Sequence, residues 1–356
     1  MRLSVARRVM LAVILGFGVH AVAADAQVTV SGVGYVSYGY ALNADSSLVA
    51  TTTSAGHQNN FDVSRSYINV QTRSANIATR VTADVDGRKA ATNQLTFRLK
   101  YAFVAWTPDS SHLTYKLGLI HTPWVDWEES LWDYRMQGTM PTDRNGLQTS
   151  SDFGAGVDGT WHFDDVNAQV GVYNGEGYSN APGDPSKDIE GRISVRLAKS
   201  DLGTKSSGLR LSGFAQLGTS PAGGATKQRF IGMLSYKSKA LTLAAQIAMG
   251  QDSISGTIPK QKSRVTSVYG VYNLPNSKAA LIARVDMYDP NTDSTSTATN
   301  ATGFNKQTRF IAGVSYNIAP NFRVLADVDL NTLDGTVSNA FDKTSKTFFI
   351  HTQFTF

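Results

Sequence analysis

Five basic residues are spaced so that they can form one positively charged surface. Arg65, Arg80, Arg98, Lys100 and Lys116 lie in four successive segments in which polar and apolar residues alternate. In an extended segment, residues two positions apart share a face, and we place these five side chains on the polar faces. Guanidinium and ammonium groups hold their charge at neutral pH, so such a surface attracts anions instead of transferring protons.

The same parity argument collects further charges on the polar faces. The basic residues are Arg65, Arg73, Arg80, Arg98, Lys100, Lys116, Arg192, Arg196, Arg210, Arg284, Arg309 and Arg323. The acids are Asp84, Asp86, Asp152, Asp158, Glu190, Asp286, Asp327 and Asp329. Two interpretations stay open. The basic residues meet mobile ions, or they neutralise neighbours such as Asp84 and Asp286 and stiffen the sheet.

The longest connection between these segments, residues 121–151, carries the opposite charge. Its acids are Asp126, Glu128, Glu129, Asp133 and Asp143, against the two arginines Arg135 and Arg144. Thr122 and Pro123 suit the start of a short helix, after which an apolar stripe recurs at helical spacing. The stripe is Trp124, Trp127, Leu131 and Tyr134. Because an apolar stripe needs a surface to pack on, we expect this segment to fold against the sheet and turn its carboxylates toward the basic residues.

Three other interpretations of residues 121–151 stay open. The segment could be an exterior loop with solvated charges. Its aromatic residues could stack on sugars; they are Trp124, Trp127, Trp132 and Tyr134. The oxygen ligands of four acids could bind a metal; these are Asp126, Glu128, Glu129 and Asp133. An acidic exposed loop is the commoner explanation of such a cluster, so neither a metal site nor a cofactor is predicted.

The charged positions belong to sixteen segments with the period of a β-strand. We predict strands at residues 28–40, 61–73, 76–86, 94–106, 112–120, 152–163, 165–174, 188–198, 208–218, 227–237, 240–250, 262–273, 277–288, 307–317, 321–330 and 347–356. Connections after even-numbered strands are short, and those after odd-numbered strands are generally long. This alternation is typical of an antiparallel up-and-down membrane barrel. A count of eighteen, with two strands inside 121–151, stays open.

The opposite faces of these segments are apolar and are predicted to contact lipid. Among them are Leu99, Tyr101 and Phe103 on the fourth strand and Val324 and Val328 on the fifteenth. Aromatic residues mark both ends of the outward faces, as in interfacial belts. They are Tyr236, Tyr316, Phe322 and Phe356 at one end and Phe230, Phe310 and Phe348 at the other. The predicted fold class is all-β, a 16-stranded antiparallel transmembrane β-barrel with a long inward-folded third loop and a water-filled interior.

The beginning of the chain and its composition agree with an outer-membrane address. Arg7 and Arg8 precede a short apolar run and small-residue cleavage patterns, so residues 1–26 are predicted to be a cleaved secretory signal peptide. Residues 27–356 are then the barrel. The chain has no cysteine and only 17% charged residues, below the roughly 25% usual for soluble domains.

Net charge does not indicate a nucleic-acid partner. Without residues 1–26 the chain keeps 30 basic and 27 acidic residues, a balance close to neutral. The expected partners are outer-membrane lipid and lipopolysaccharide, with small hydrophilic solutes or inorganic ions in the interior. The expected location is the outer membrane of a Gram-negative-type bacterium.

Several motifs resemble a known family. Residues 117–124 (LGLIHTPW), Arg135, residues 143–146 (DRNG) and residues 151–154 (SDFG) are similar to the region around the third loop of outer-membrane porins of the phosphate-selective O and P type. Residues 61–67 (FDVSRSY) are similar to their second strand. The resemblance implies a 16-stranded, homotrimeric channel for small ions. That family lines its constriction with arginines and loop lysines, whereas residues 121–151 contain no lysine.

The predicted function is passive diffusion of small hydrophilic solutes and ions, with a weak charge preference set by the basic residues facing the acidic loop. Alternatives are an anion-selective or phosphate-selective channel, a sugar-selective channel, a plugged structural barrel and an outer-membrane enzyme. A hydrolase would need a nucleophile beside a base. The candidate bases are His57, His112, His121, His162 and His351, none in a recognisable nucleophile motif, so no catalytic residue is predicted.

Overall fold

A computed structural model of the chain describes residues 27–42, 59–86, 95–180, 185–220, 225–253, 261–292, 304–335 and 344–356. Within these ranges sixteen strands form one closed antiparallel barrel, in which each strand pairs with its neighbours in sequence and β1 closes on β16. The predicted all-β, antiparallel barrel and its count of sixteen strands are confirmed. The predicted signal peptide lies outside the described residues.

The strands have the following bounds: β1 Gln27–Ala41, β2 Asn59–Ser74, β3 Ile77–Asp86, β4 Thr96–Trp106, β5 Leu113–His121, β6 Ser151–Trp161, β7 Val166–Tyr173, β8 Asp188–Ala198, β9 Gly208–Ser220, β10 Ala225–Lys237, β11 Leu241–Asp252, β12 Gln261–Asn273, β13 Ala279–Asp289, β14 Phe304–Ala319, β15 Phe322–Gly335 and β16 Thr344–Thr355. The largest departures from prediction are at the long-loop ends of β14, β15 and β16. Backbone pairing continues there from Phe304 to Gly335, after the apolar alternation that predicts strands has ended.

The outer face of the barrel is apolar. Large side chains at alternate positions are about half exposed, for example Val170 at 53%, Leu211 at 55% and Val268 at 53%. Outward aromatic residues near the short turns include Trp106, Tyr316 and Phe356. A closed wall with such a surface is stable in lipid. Among the described residues, no helix is long and apolar enough to cross a membrane.

The predicted outward orientation of Tyr101 and Phe103 is wrong. Tyr101 is 5% exposed and stacks on His121 with 3.9 Å between ring centroids. The pairing of β3 with β4 skips Lys100, which is an extra residue on β4. Because a β-bulge re-aims the side chains that follow it, Leu99 remains outward while Tyr101 and Phe103 turn into the barrel.

Candidate functional site in the barrel interior

We call the connection between β5 and β6, residues 122–150, loop 3. Its helices are α1 Val125–Leu131, a 3₁₀ helix Arg135–Gln137, and α2 Pro141–Arg144. α1 begins at Val125, after an N-cap at Trp124, and therefore later than predicted from Thr122 and Pro123. The Thr122 hydroxyl is instead hydrogen-bonded to the carbonyl oxygen of Thr149, so it joins the two ends of the loop.

Loop 3 starts where β5 separates from β4. The pairing of these strands ends at Ala102 and Leu119. Gly118 has a φ of +125°, and a Cβ there would lie 2.3 Å from the carbonyl oxygen of Ala102, so a larger residue does not fit. At the other end of the loop, the Ser151 hydroxyl donates to the carbonyl oxygen of Lys100 at 2.8 Å. Both ends of loop 3 therefore lie against β4, through Gly118 at its start and Ser151 at its end.

The aromatic side of loop 3 packs on the inner faces of β8–β15, which we call the docked wall. Trp124 lies 5.9 Å from Phe214 of β9, and Trp132 lies 5.4 Å from Tyr269 of β12, between ring centroids. Both indole side chains are fully buried. Buried rings have no face free for a sugar, so this arrangement argues against the sugar-stacking interpretation.

Arginines of the docked wall hold loop 3 in place. Arg192 of β8 donates to the carbonyl oxygen of Pro123 at 2.9 Å, and its guanidinium lies 4.5 Å from the Trp127 ring centroid. Arg229 of β10 donates to the carbonyl oxygen of Leu147 at 3.1 Å. Arg192 is 6% exposed. The interpretation that the inward basic residues meet mobile ions is therefore wrong for Arg192, because the loop covers it.

The carboxylate of Glu128, predicted to face the basic residues, turns to the docked wall instead, and Arg144 of the same loop also contacts that wall. Glu128 is fully buried, accepts a hydrogen bond from the Thr142 hydroxyl at 2.6 Å and is hydrogen-bonded to Gln246 of β11. Burial raises the pKa of Glu128 to about 7, although both hydrogen bonds favour its charged form. Arg144 pairs with Asp286 of β13 at 3.0 Å. Glu128 lies on the same buried side of α1 as Trp127 and Leu131, and Arg144 is held by its own ion pair with the docked wall.

The far end of loop 3 reaches β14 and β15. The hydroxyl groups of Tyr134 and Ser315 lie 2.7 Å apart. Arg323 donates to the Asp133 carbonyl oxygen at 2.7 Å and pairs with its carboxylate at 3.0 Å. Loop 3 thus has a polar or aromatic contact with each strand from β8 to β15, and these contacts lie on the side of the wall opposite the apolar outer face. The loop crosses the inside of the barrel.

The predicted basic residues of β2–β5, Arg65, Arg80, Arg98, Lys100 and Lys116, form one cluster that we call the basic wall. Asp84 lies between two of them, 3.6 Å from Arg65 and 3.1 Å from Arg98. Lys116 pairs with Asp158 of β6. The interpretation of mutual neutralisation is therefore correct for part of this wall.

The other two basic-wall residues contact neutral groups. Arg80 donates to Asn69 at 2.9 Å and to Thr82 at 3.0 Å. Lys100 donates to the Tyr67 hydroxyl at 3.1 Å. Arg65 and Lys100 are only 4% exposed, whereas Arg80 is half-buried and the Arg98 side chain is 25% exposed. The basic wall therefore presents Arg80, Arg98 and, in part, Lys116 to the interior.

Carboxylates of loop 3 lie on the side that faces the basic wall. The Asp126 side chain is 58% exposed and lies 3.8 Å from His121, which in turn is 3.4 Å from Arg80. Glu129 accepts a hydrogen bond from Arg135 at 2.8 Å. Opposite charges of loop 3 and the basic wall therefore lie close together, with His121 between Asp126 and Arg80.

Asp143 also lies on this side of the loop. Burial raises the pKa of Asp143, and Arg135, Arg65 and Lys100 act in the opposite direction.

The four acids of the possible metal site do not converge. Asp126 is exposed and Glu128 is buried. Glu129 and Asp133 are each paired with a different arginine.

One cluster was not anticipated from the sequence. His351 Nδ1 of β16 lies 2.9 Å from the Ser37 hydroxyl of β1, and His351 Nε2 lies 3.2 Å from Asp327 of β15. All three residues are at most 8% exposed. They link the first strand to the last two strands where the barrel closes. Only the strand register brings them together, because 314 positions separate Ser37 from His351.

The fold is similar to solved structures of outer-membrane proteins. An anion-selective porin from Comamonas acidovorans matches with a TM-score of 0.65 at 11% identity, over 93% of this chain and 100% of that one. The outer-membrane channel DcaP of Acinetobacter baumannii matches with 0.65 at 10% identity, over 93% and 97%. OprB of Pseudomonas putida matches with 0.62 at 9% identity, over 93% and 94%. No protein-family model and no curated protein matches the chain.

At these identities the similarity establishes the fold. The closed sixteen-stranded barrel and its apolar outer face place the chain in the outer membrane of a Gram-negative bacterium, and the predicted location is confirmed. The resemblance to phosphate-selective porins stays a prediction.

Proposed function

We propose that the protein is a porin, a water-filled channel for passive diffusion of small hydrophilic solutes and ions across the outer membrane. One observation carries the proposal: loop 3 is anchored along the docked wall and leaves charged groups of the basic wall partly exposed inside the barrel. A barrel of sixteen strands encloses more space than its inward side chains fill. The polar lining and the remaining space together favour a hydrated path.

The proposed charge preference is weak. Arg80, Arg98 and Lys116 face Asp126 and Glu129, so a permeating ion meets both signs of charge. Asp84 and Asp158 also neutralise part of the basic wall. A transverse field of this kind orders polar solutes and disfavours apolar ones, but it does not strongly exclude either cations or anions.

Selectivity for anions or phosphate is the second candidate. It is favoured by Arg80, whose described partners are neutral, because an uncompensated guanidinium attracts oxyanions. It is disfavoured by loop 3, which contributes no lysine. An enzymatic function is disfavoured because the Ser37, His351 and Asp327 side chains are covered and no substrate could reach the hydroxyl.

Planar-bilayer recording tests the proposal. The purified mature protein should insert in discrete steps with ohmic conductance, and a KCl gradient should give a reversal potential close to zero. Silent insertions would contradict a channel and favour a plugged barrel or an enzyme. A strongly anion-selective potential that falls on addition of phosphate would favour the second candidate.

Two further parts of the proposal concern processing and assembly. We infer cleavage after Ala26, so sequencing of the mature protein should begin at Gln27. We also infer a homotrimer embedded in lipid and lipopolysaccharide, which light scattering of the detergent-extracted protein tests. A monomer would contradict the inferred homotrimer. It would leave the proposed conduction through a single barrel unaffected.

A further inference from the structure

A second segment lies against the inner side of the barrel next to loop 3. We call residues 174–180, which follow β7, loop 4. The backbone N–H of Gly175 donates to the Asp152 carboxylate at 2.6 Å. The backbone N–H of Tyr178 donates to the carbonyl oxygen of Ser151 at 3.1 Å. These bonds hold loop 4 at the start of β6, where loop 3 returns to the wall.

Loop 4 is also held by β10 and by loop 3. The ammonium group of Lys227 on β10 donates to the carbonyl oxygen of Gly175 at 2.8 Å. Gly177 has a φ of +76°, and a Cβ there would lie 3.0 Å from the hydroxyl oxygen of Thr149 in loop 3. Glycine is therefore required for this close approach. Loop 4 is fixed at several points and packs directly on the end of loop 3.

The side chains of loop 4 reach the basic wall at Arg98. The Arg98 guanidinium lies 4.8 Å from the centroid of the Tyr178 ring. One of its terminal N–H groups donates to the Ser179 hydroxyl at 3.2 Å, and its Nε donates to Asp84 at 3.1 Å. A ring, a hydroxyl and a carboxylate thus surround this guanidinium, although 25% of the Arg98 side chain stays exposed.

These contacts lie at the outer end of the basic wall. Arg98 is the third residue of β4, and loop 4 follows β7, so both belong to the long-loop end of the barrel. In outer-membrane barrels the long loops face the cell exterior. Tyr178 is half-buried and Ser179 is exposed. A solute that enters from outside therefore meets loop 4 before it reaches the deeper residues of the basic wall.

We propose that Tyr178 is a selectivity-determining residue, whose ring covers Arg98 from the outer side and keeps the anion preference of the channel weak. The face of an aromatic ring attracts a guanidinium electrostatically, so an anion that approaches Arg98 has to compete with the ring. The Asp84 carboxylate neutralises the same guanidinium from the wall. This inference rests on the proposed conduction of ions through the barrel.

Reversal potentials in a KCl gradient test the role of the ring. Tyr178→Ala should raise the ratio of chloride to potassium permeability about threefold, because it removes a cation–π contact of ordinary strength. Tyr178→Phe keeps the ring and should retain the wild-type ratio. The matched control is Tyr272→Ala, which truncates a tyrosine that is 42% exposed on the lipid face. The control should also retain the wild-type ratio.

A double variant shows whether the ring acts through Arg98. In the Arg98→Gln background, Tyr178→Ala should leave the permeability ratio unchanged, because the covered charge is absent. An equal rise in both backgrounds would overturn the proposal, since the ring would then act through the shape of the opening. An unchanged ratio in Tyr178→Ala alone would also overturn it, as would a threefold rise in Tyr178→Phe.

Chemical labelling of arginines provides a readout that does not require conduction. Phenylglyoxal should modify Arg98 about threefold faster in detergent-purified Tyr178→Ala than in the wild type, as measured by mass spectrometry of peptides. Arg196, paired with Asp165, is the internal reference and should react equally in both proteins. Equal rates at Arg98 would contradict the covering of this residue. Faster labelling with a silent wild type would contradict the channel proposal and the selectivity role while confirming the cover.

Discussion

The docked wall of β8–β15 and the basic wall of β2–β5 carry similar inward residues in different surroundings. Both present arginines and aspartates on inward positions of antiparallel strands. On the docked wall Arg192 and Arg229 are covered and bind backbone carbonyls of loop 3. On the basic wall Arg80 and Arg98 remain partly exposed. The comparison shows that the path of loop 3 decides which inward charges are covered and which stay partly exposed.

The physical reason is the environment of each wall. Where loop 3 excludes water, the effective dielectric constant falls, and an unpaired polar group becomes expensive. Every covered arginine must therefore have partners. Where water remains, charges are screened and can stay partly unpaired, at a modest energetic effect per pair. Four predictions sharpen this contrast, in order of decreasing effect.

Trp132→Ala should release loop 3 from the docked wall. Trp132 is fully buried against Tyr269 and lies 5.6 Å from the Arg284 guanidinium. Truncation of a buried tryptophan costs about 3–5 kcal/mol. We expect faster trypsin cleavage after Arg135 and noisier single-channel currents. Trp106→Ala, on the lipid face, is the control and should leave both readouts unchanged; equal cleavage of the two variants would show that loop 3 is not held by its aromatic side.

Glu128→Gln should remove a pH dependence of loop docking. Its pKa in the folded protein is raised from 4.5 to about 7, so its contribution to stability is fully present below about pH 4.5 and is lost as pH rises through about 7. The loss is about 3 kcal/mol at 1.36 kcal/mol per pKa unit. Loop protection from protease, expressed as the ratio of wild type to variant at each pH, should fall between pH 5 and 8. A ratio independent of pH would refute the prediction.

Arg80→Gln and Arg192→Gln form a matched pair across the two walls. Both arginines have neutral hydrogen-bond partners among the described residues, so neither change strands a carboxylate. Arg80→Gln should shift the ratio of chloride to potassium permeability about fivefold toward potassium, which corresponds to about 1 kcal/mol for one charge in water. Arg192→Gln should leave the reversal potential unchanged. Equal shifts would mean that the docked wall also borders the ion path.

Asp126→Asn should have the smallest effect on the ratio of chloride to potassium permeability. The Asp126 side chain is 58% exposed, and surrounding water and salt screen its charge. We expect a shift of less than about twofold toward chloride at physiological salt, growing as salt is diluted. A shift that does not depend on ionic strength would indicate that Asp126 acts through the shape of the opening and not through its charge.

Local patterns predicted the wall well and the interior only in part. Alternation alone identified all sixteen strands, and parity placed Arg65, Arg98 and Lys116 on the inner face. Parity failed at Tyr101, because the extra residue Lys100 re-aims the strand without any change in composition. Helical spacing correctly indicated that loop 3 has a packing side. It could not show that Glu128 belongs to that side, since an acid is normally placed in water.

The sequence by itself determined that this chain is a membrane barrel with a charged interior, because strand period and lipid contact act on residues two positions apart. Tertiary structure alone decided which charges are covered, that Asp84 lies between Arg65 and Arg98, and that Ser37 meets His351 at the closure of the barrel. These contacts depend on register and on the path of loop 3 across the interior. Such relations join residues that are remote in the chain, so no local pattern encodes them.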